Sequence, residues 1–444
     1  MPSSLWWSSG VLAVVLAALV AIVALQVRDH PSLSPIDEFQ HLDYTLKSPS
    51  AGVRIGERVG SEALQTVACR GIDSPGWKVG SPLLPRCGDP QPEQSLATDD
   101  WYNTAYLHTP VYYSATALMG EVVVRLPGVQ SPLTAYRLVG VLWLAAGLWL
   151  LWLAMGIVHV GVWRRAAVVG LVGVSPVVVH GSAFLNPDAT ALLGGGIVLV
   201  ALLKWESGRW PWWWLAVASA VAVWLKHTNA AAVGAVIVYL GIRLWQERDS
   251  LADHQVKARA RLRLLAASAS AVVAIASVLV WRLWQRYRQL ETESDLPIYA
   301  NQRHDSFQWT SLDEKLRATL TPFRDQWIPS ELPRSVLAPL GGIADVGLLV
   351  LLGAALAVAA SKSAHRALVG GVVISLVSVG VLSMITNYIT LSRDPPVPGR
   401  YGLSVLPFAA VAIAPVLRRY VLPSALVGLL ACATAAAMLF GALS

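Results

Sequence analysis

Apolar runs, each about 20 residues long, recur from one end of this chain to the other and constrain its fold more than any other feature. Val11 to Val27 carries no charged side chain, and with Leu5 to Trp7 in front of it the run reaches the length needed to cross about 30 Å of hydrocarbon. A cleaved signal peptide is the alternative for this first run. It is disfavoured because no Lys or Arg precedes the run and no small-x-small cleavage pattern follows it. The composition agrees: 55% of 444 residues are hydrophobic, 14% are charged and the mean hydropathy is +0.54, more apolar surface than a soluble core needs. The net charge of +7 raises nucleic acid as a partner, but its meaning depends on the side of the membrane on which the basic residues lie, and no nucleic acid is expected.

Hydropathy places spanning helices near 8–27, 134–157, 166–185, 188–204, 210–226, 229–244, 264–284, 343–360, 367–389, 401–417 and 421–442. Pro110 to Arg125 is about 24 Å long as a helix and carries Gly120 and Glu121, too short and too polar for a twelfth. Charge bias tests this independently, because short inner loops collect Lys and Arg. With Pro110 to Arg125 kept outside, the inner loops hold Arg164 and Arg165, Lys204 and Arg209, the cluster Arg243 to Arg263, Lys362 with Arg366, and Arg418 with Arg419. The short outer connections then hold Lys226, Arg393 and Arg400. The expected fold class is therefore an all-α polytopic membrane protein with eleven spans, N-terminus inside and C-terminus outside. Residues 1–444 form one transmembrane domain with long outer loops at 28–133 and 285–342, and no internal repeat is visible.

The first outer loop contains Cys69 and Cys87, the cysteines outside spans, and an oxidising compartment favours a disulfide between them over two free thiols. Ser34 to Lys47 reads as a surface helix, with Ser34 as cap, Pro35 at the first position and Ile36, Phe39, Leu42 and Leu46 largely on one face. Asp37, His41 and Tyr44 lie on the other face. Pro110 to Val124 reads as a second surface helix capped by Thr109.

Asp37 and Glu38 have a bland explanation, since an acid after a Ser cap closes a capping box and favours the helix dipole. That does not explain His41 and Asp43 packed with them beside a bilayer, where a desolvated carboxylate gains general-base character. Asn186-Pro187-Asp188 opens a span either as an ordinary cap or as a carboxylate aimed at an outer cavity. Lys226 and His227 join two spans through almost no loop. Lys226 either snorkels or holds an anion. Pro398-Gly399-Arg400-Tyr401, after Arg393-Asp394, opens another span and fits either a solvated loop or a phosphate grip. His108, before Thr109 and Pro110, reads as a cap neighbour.

In succession on one membrane face, these segments resemble the GT-C superfamily, multi-spanning glycosyltransferases that use polyprenyl-phosphate sugars. Ser34-Pro35-Ile36-Asp37-Glu38-Phe39-Gln40-His41 looks like its acidic signature in the first outer loop. Leu107-His108-Thr109-Pro110-Val111-Tyr112-Tyr113 resembles its juxtamembrane His-Pro-Pro-Leu-Tyr-Tyr segment, with Thr109 in place of the first proline. Asn186-Pro187-Asp188-Ala189 is similar to its acidic pair opening a later span, and Gly399-Arg400-Tyr401 is similar to a segment of a bacterial GT-C-like group. The resemblance implies Asp37 as base, Glu38 as orienting residue or ligand of a Mg or Mn ion together with Asp37, and His41 and His108 as polar substrate neighbours. It further implies Asp188, Lys226, His227, Arg393, Arg400 and Tyr401 at the substrate, with Lys226, Arg400 and Arg393 on the lipid phosphate. The implied partners are a polyprenyl-phosphate-linked sugar donor, a glycan, lipid or protein acceptor, and the bilayer of a bacterial plasma membrane, with the site on its outer face.

Two readings compete. A transporter or lipid flippase keeps charges near the midplane, often within inverted repeats, whereas here the charges sit at the outer ends of spans. A catalytically inactive envelope-assembly scaffold is the other.

Overall fold

The computed structural model describes residues 2–48, 50, 52–89, 101–129, 131–250, 252–293, 296, 307–323, 334–360, 363–391 and 397–443. Helices build it, and among these residues the β-type pairings are two isolated bridges, Leu33 with Ile72 and Arg58 with Tyr102. That follows from the solvent, because a helix in hydrocarbon satisfies its own backbone donors and acceptors.

Among the described residues nine helices are long and apolar enough to cross a membrane: Trp7–Asp29, Pro132–Ile157, Pro187–Glu206, His227–Ser250, His254–Tyr287, Ser335–Val358, Ala364–Thr386, Gly399–Arg419 and Val421–Phe440. A tenth span is broken. Val162–Gly173 and Pro176–Ala183 meet at 63°, where Pro176 lacks the N–H that would continue the ladder. The expected span at 210–226 is a 13-residue helix, Trp213–Leu225, too short for a full crossing. Each of the eleven expected spans thus has a helical counterpart, nine of them straightforward.

Helix ends differ from expectation in three places. The surface helix runs Glu38–Lys47 rather than from Ser34, because Asp37 takes the left-handed conformation (φ 56°) and ends the preceding turn. The second surface helix is Pro110–Val123, and the Thr109 hydroxyl donates to the Trp224 carbonyl instead of capping it. Helix His254–Tyr287 ends and helix Arg334–Val358 begins inside the stretch 285–342 expected as a connection, leaving 288–333 between them.

The residues between helices Trp7–Asp29 and Pro132–Ile157 include a core of their own, with Leu42, Tyr44, Leu64, Val67, Tyr106 and Tyr113 buried together. The disulfide between Cys69 and Cys87 is formed, with Cα atoms 4.7 Å apart, and pins the segment after helix Ser61–Arg70. At the opposite face, buried Arg263 pairs with Glu206 at 3.1 Å and with Glu247, clamping the ends of three helices.

Close backbone approach positions the ends of the spans that carry Asp188, Lys226 and Arg400. Gly194, Gly195 and Gly196 stand in one turn of helix Ala191–Glu206. Gly194 faces the Asn229 side chain, Gly195 faces the Ser404 carbonyl and Gly196 faces Leu150, with no room for a side chain at any of them. The turns at His227–Asn229 and Gly399–Val405 are thereby drawn against the helix that Asp188 opens.

Candidate active site

Glu38 and Arg137 form the rigid base of the site. Arg137 lies in the first two turns of helix Pro132–Ile157, where an ionised group inside a span needs a partner. Its Nε and Nη2 donate to the two Glu38 carboxylate oxygens, both at 2.7 Å, with side chains 1% and 0% exposed. The remaining acceptor capacity of Glu38 is used by the Leu185 N–H at 2.8 Å and the Ser34 N–H at 2.6 Å. Arg137 also donates to the His30 and Ser32 carbonyls and lies over the Phe184 ring. This bidentate fork ties the start of the outer loop, the Glu38–Lys47 helix and the Phe184–Asn186 turn together.

Asp37 rides on that base. Its backbone carbonyl accepts from the Gln40 and His41 N–H groups at 3.0 Å, while its side chain makes no cap bond and is exposed. A left-handed conformation at a non-glycine residue is strained, and Glu38, fixed by four hydrogen bonds immediately after it, holds the strain in place. Asp37 acts electrostatically on Lys226, Tyr113 and Tyr401, so its carboxylate faces the cationic side of the site.

That side is a buried triad. Asp188 pairs with Lys226 through one carboxylate oxygen and with the Arg400 Nε at 3.0 Å through the other. Asn186 accepts from the Asp188 N–H at 2.9 Å, so the cap reading of this turn and its placement of Asp188 in the site hold together. Two cations on one carboxylate leave the triad with a formal surplus of one positive charge. The Lys226 ammonium and the Arg400 guanidinium both approach the Tyr401 ring, at 5.4 and 6.0 Å from its centroid.

Between Asp37 and the triad stand the histidines. His41 Nδ1 shares a hydrogen bond of 2.8 Å with the Tyr113 hydroxyl, Tyr113 stacks on Tyr44 at 3.9 Å, and the His108 ring lies 5.6 Å from that of His41. Burial, then Lys226, then Arg400 push the His41 imidazole down to about 3, and burial with Lys226 likewise pushes His108 well below its ordinary range. Both rings are neutral at pH 7. Because an unfolded histidine titrates near 6.5, the folded protein binds fewer protons than the unfolded chain once pH drops below that value. The stability held by His41 is complete above about 6.5 and drains away as pH falls toward 3. Melting of the detergent-solubilised protein from pH 8 to pH 4 is expected to show this decline, and His41→Gln is expected to flatten it; parallel curves would show that His41 does not contribute.

Asp43, flagged with the acidic cluster, is spent on structure: it accepts from Asn103 Nδ2 at 2.8 Å, the Gly60 N–H at 2.7 Å and Lys47 at 2.7 Å. His227 joins the site by acting on His108 and lines a groove beside Tyr401. Arg393 lies outside the described residues. The residues do not fit a divalent metal. Glu38 is saturated, Asp188 is held by two cations, and among the described residues no group of three or more His, Cys, Asp or Glu side chains comes together as a ligand set. Glu38 is therefore an anchor rather than a ligand.

Sequence reasoning missed Arg137, His180 and the three glycines. An ionisable residue inside an apolar run was the available signal for both Arg137 and His180, whose Nε2 is bonded to the Ser34 hydroxyl at 3.1 Å.

No family model and no curated protein matches the chain. A solved structure, that of ArnT from Cupriavidus metallidurans bound to undecaprenyl phosphate, is similar at 15% identity and a TM-score of 0.46, over 92% of this chain. The chain spans 60% of the length of that structure's chain.

Proposed function

We propose that this multi-pass membrane protein transfers a sugar from a polyprenyl-phosphate donor to a cell-envelope acceptor, with inversion at the anomeric carbon, at the outer face of a bacterial plasma membrane and with its N-terminus inside. The observation that carries the reading is the convergence of an exposed carboxylate, Asp37, with a buried cationic triad of surplus positive charge, Lys226, Arg400 and Asp188. The succession of GT-C-like segments in the sequence supports it.

Asp37 accepts the proton of the acceptor hydroxyl as its oxygen bonds to the anomeric carbon. The bond from that carbon to the phosphate oxygen breaks, and its electron pair leaves on the lipid phosphate. Lys226 and Arg400 stabilise that anion, and no general acid is needed. Neutral His41 and His108, with Tyr401, supply polar walls for the sugar. A groove of about 520 Å³ starts at His227 and Tyr401 and runs between helices Ala230–Glu247 and Ala364–Leu391, with Gly234, Ile237 and Leu382 in its walls. It gives an isoprenoid chain a lateral path from bilayer to site. The Leu312–Leu320 helix of the second outer loop packs on Gly380 and Gly402, where an acceptor approaches.

The test is transfer in reconstituted membranes with a labelled polyprenyl-phosphate sugar. Arg400→Lys keeps the charge beside Asp188 but loses the planar fork, and is expected to lower kcat/KM for the donor about tenfold, a loss of about 1.4 kcal/mol. Undiminished kcat/KM removes Arg400 from the phosphate site, and absence of transfer by the parent protein with every lipid-linked sugar tried rejects the reading.

A further inference from the structure

A second cavity lies among the spanning helices, its wall running from Phe323, Ala344 and Leu406 to Val168, Leu422 and Pro423, the last two close after Arg418 and Arg419 in sequence. Its volume is about 560 Å³, and residues of four helical segments wall it, including Val172, Leu348, Ala409 and Leu426, with no polar or charged side chain in the lining. It sits on spanning helices, so it opens to lipid rather than to water.

The mouth of this cavity is cationic. Arg164 stands one turn before Val168 of the wall, and Arg418 and Arg419 come directly before Leu422 and Pro423. Arg164 Nη1 donates to the Arg418 carbonyl at 3.1 Å and Arg418 Nη1 to the Val158 carbonyl at 3.2 Å, which fastens the two walls together. Arg418 also acts electrostatically on His365, beside Arg366. In sequence, segments 158–165, 359–366 and 417–423 hold Arg164, Arg165, Lys362, Arg366, Arg418 and Arg419 and no Asp or Glu; Lys362 is outside the described residues. Helix Pro132–Ile157 separates this cluster from the candidate site. Arg137 is near one end of it, and the Val158 carbonyl that Arg418 grips is at the other.

We propose that this cavity is a binding site for an anionic phospholipid, one acyl chain filling the apolar chamber and the phosphate held by Arg164, Arg418 and Arg419. The general excess of basic residues at one membrane face accounts for their sign. It does not account for a chain-sized chamber directly above them, lined without a polar group. A zwitterionic lipid fits the chamber but brings no net negative charge to Arg164, Arg418 and Arg419.

Phosphatidylglycerol is titrated into the purified full-length protein in detergent, with phosphatidylcholine in parallel, and binding is read from the rise in Tm. Phosphatidylglycerol is expected to raise Tm and phosphatidylcholine to have little effect. Arg418→Gln with Arg419→Gln removes charge and is expected to weaken phosphatidylglycerol binding at least tenfold. Gly347→Phe tests the chamber with all charges in place: Gly347 is in the lining, and a Cβ there meets nothing within 4 Å. It too is expected to weaken binding at least tenfold. Equal responses to the two lipids, or unchanged phosphatidylglycerol affinity in either variant, overturn the proposal.

Discussion

Asp37→Asn is expected to slow sugar transfer by about 10² to 10⁴-fold, the range a positioned general base contributes, while leaving the melting temperature where it was. The second half of that expectation comes from the local geometry. Asp37 serves the Glu38–Lys47 helix through its backbone carbonyl, and its side chain makes no cap bond. Asparagine has nearly the same shape and tolerates the left-handed conformation at φ 56°. The substitution therefore removes the proton acceptor without disturbing the turn. Transfer from a labelled lipid donor and thermal melting, measured on the same preparation, separate the two effects. A variant that folds and transfers at the parental rate would eliminate Asp37 as the base.

Arg137→Ala is expected to have the largest effect on stability. It leaves the Glu38 carboxyl 0% exposed and without its guanidinium, and removing one partner of a buried pair typically costs about 3–5 kcal/mol. Native proteins are stable by only about 5–15 kcal/mol, so little folded protein should accumulate. Glu38→Gln combined with Arg137→Gln removes both charges and is expected to recover part of the loss. Yield and Tm in detergent check both statements. A single variant melting within a few degrees of the parent would show that the pair does not hold the loop.

The two variants separate roles that adjacent acids in the sequence left merged. Asp37 and Glu38 both looked like site carboxylates because each is an acid beside an apolar run. Which one is spent on structure depends on Arg137, about 100 residues downstream by sequence separation 99, and no local pattern encodes that partnership. The spans were readable because hydrocarbon permits little besides apolar helices of fixed length, and the disulfide because only two cysteines lie outside them. Lys226 and Arg400 were readable as exceptions to the charge bias. Asp188 was readable as a cap or a cavity-facing acid, but not as the carboxylate that Lys226 and Arg400 share, since three segments remote in sequence meet there. The start of the surface helix was misplaced because Ser34-Pro35 has the chemistry of a cap, yet the Ser34 N–H is drawn to Glu38 and its hydroxyl to His180.

The short helix Trp213–Leu225 has a consequence for depth. Thirteen residues make about 20 Å of helix against about 30 Å of hydrocarbon. Trp210, Trp212, Trp213 and Trp214 gather at its first end, the kind of aromatic girdle that moors a helix at an interface. With that end moored, the shortfall falls at the other end, which would set the Lys226 turn beneath the headgroup plane. Under the proposed function, a lipid phosphate reaching Lys226 would descend into that recess or find the bilayer dimpled around it, and hydrophobic mismatch would become part of substrate capture. Under the proposed function, such a recess would keep bulk water from the glycosyl phosphate and favour the acceptor hydroxyl over hydrolysis.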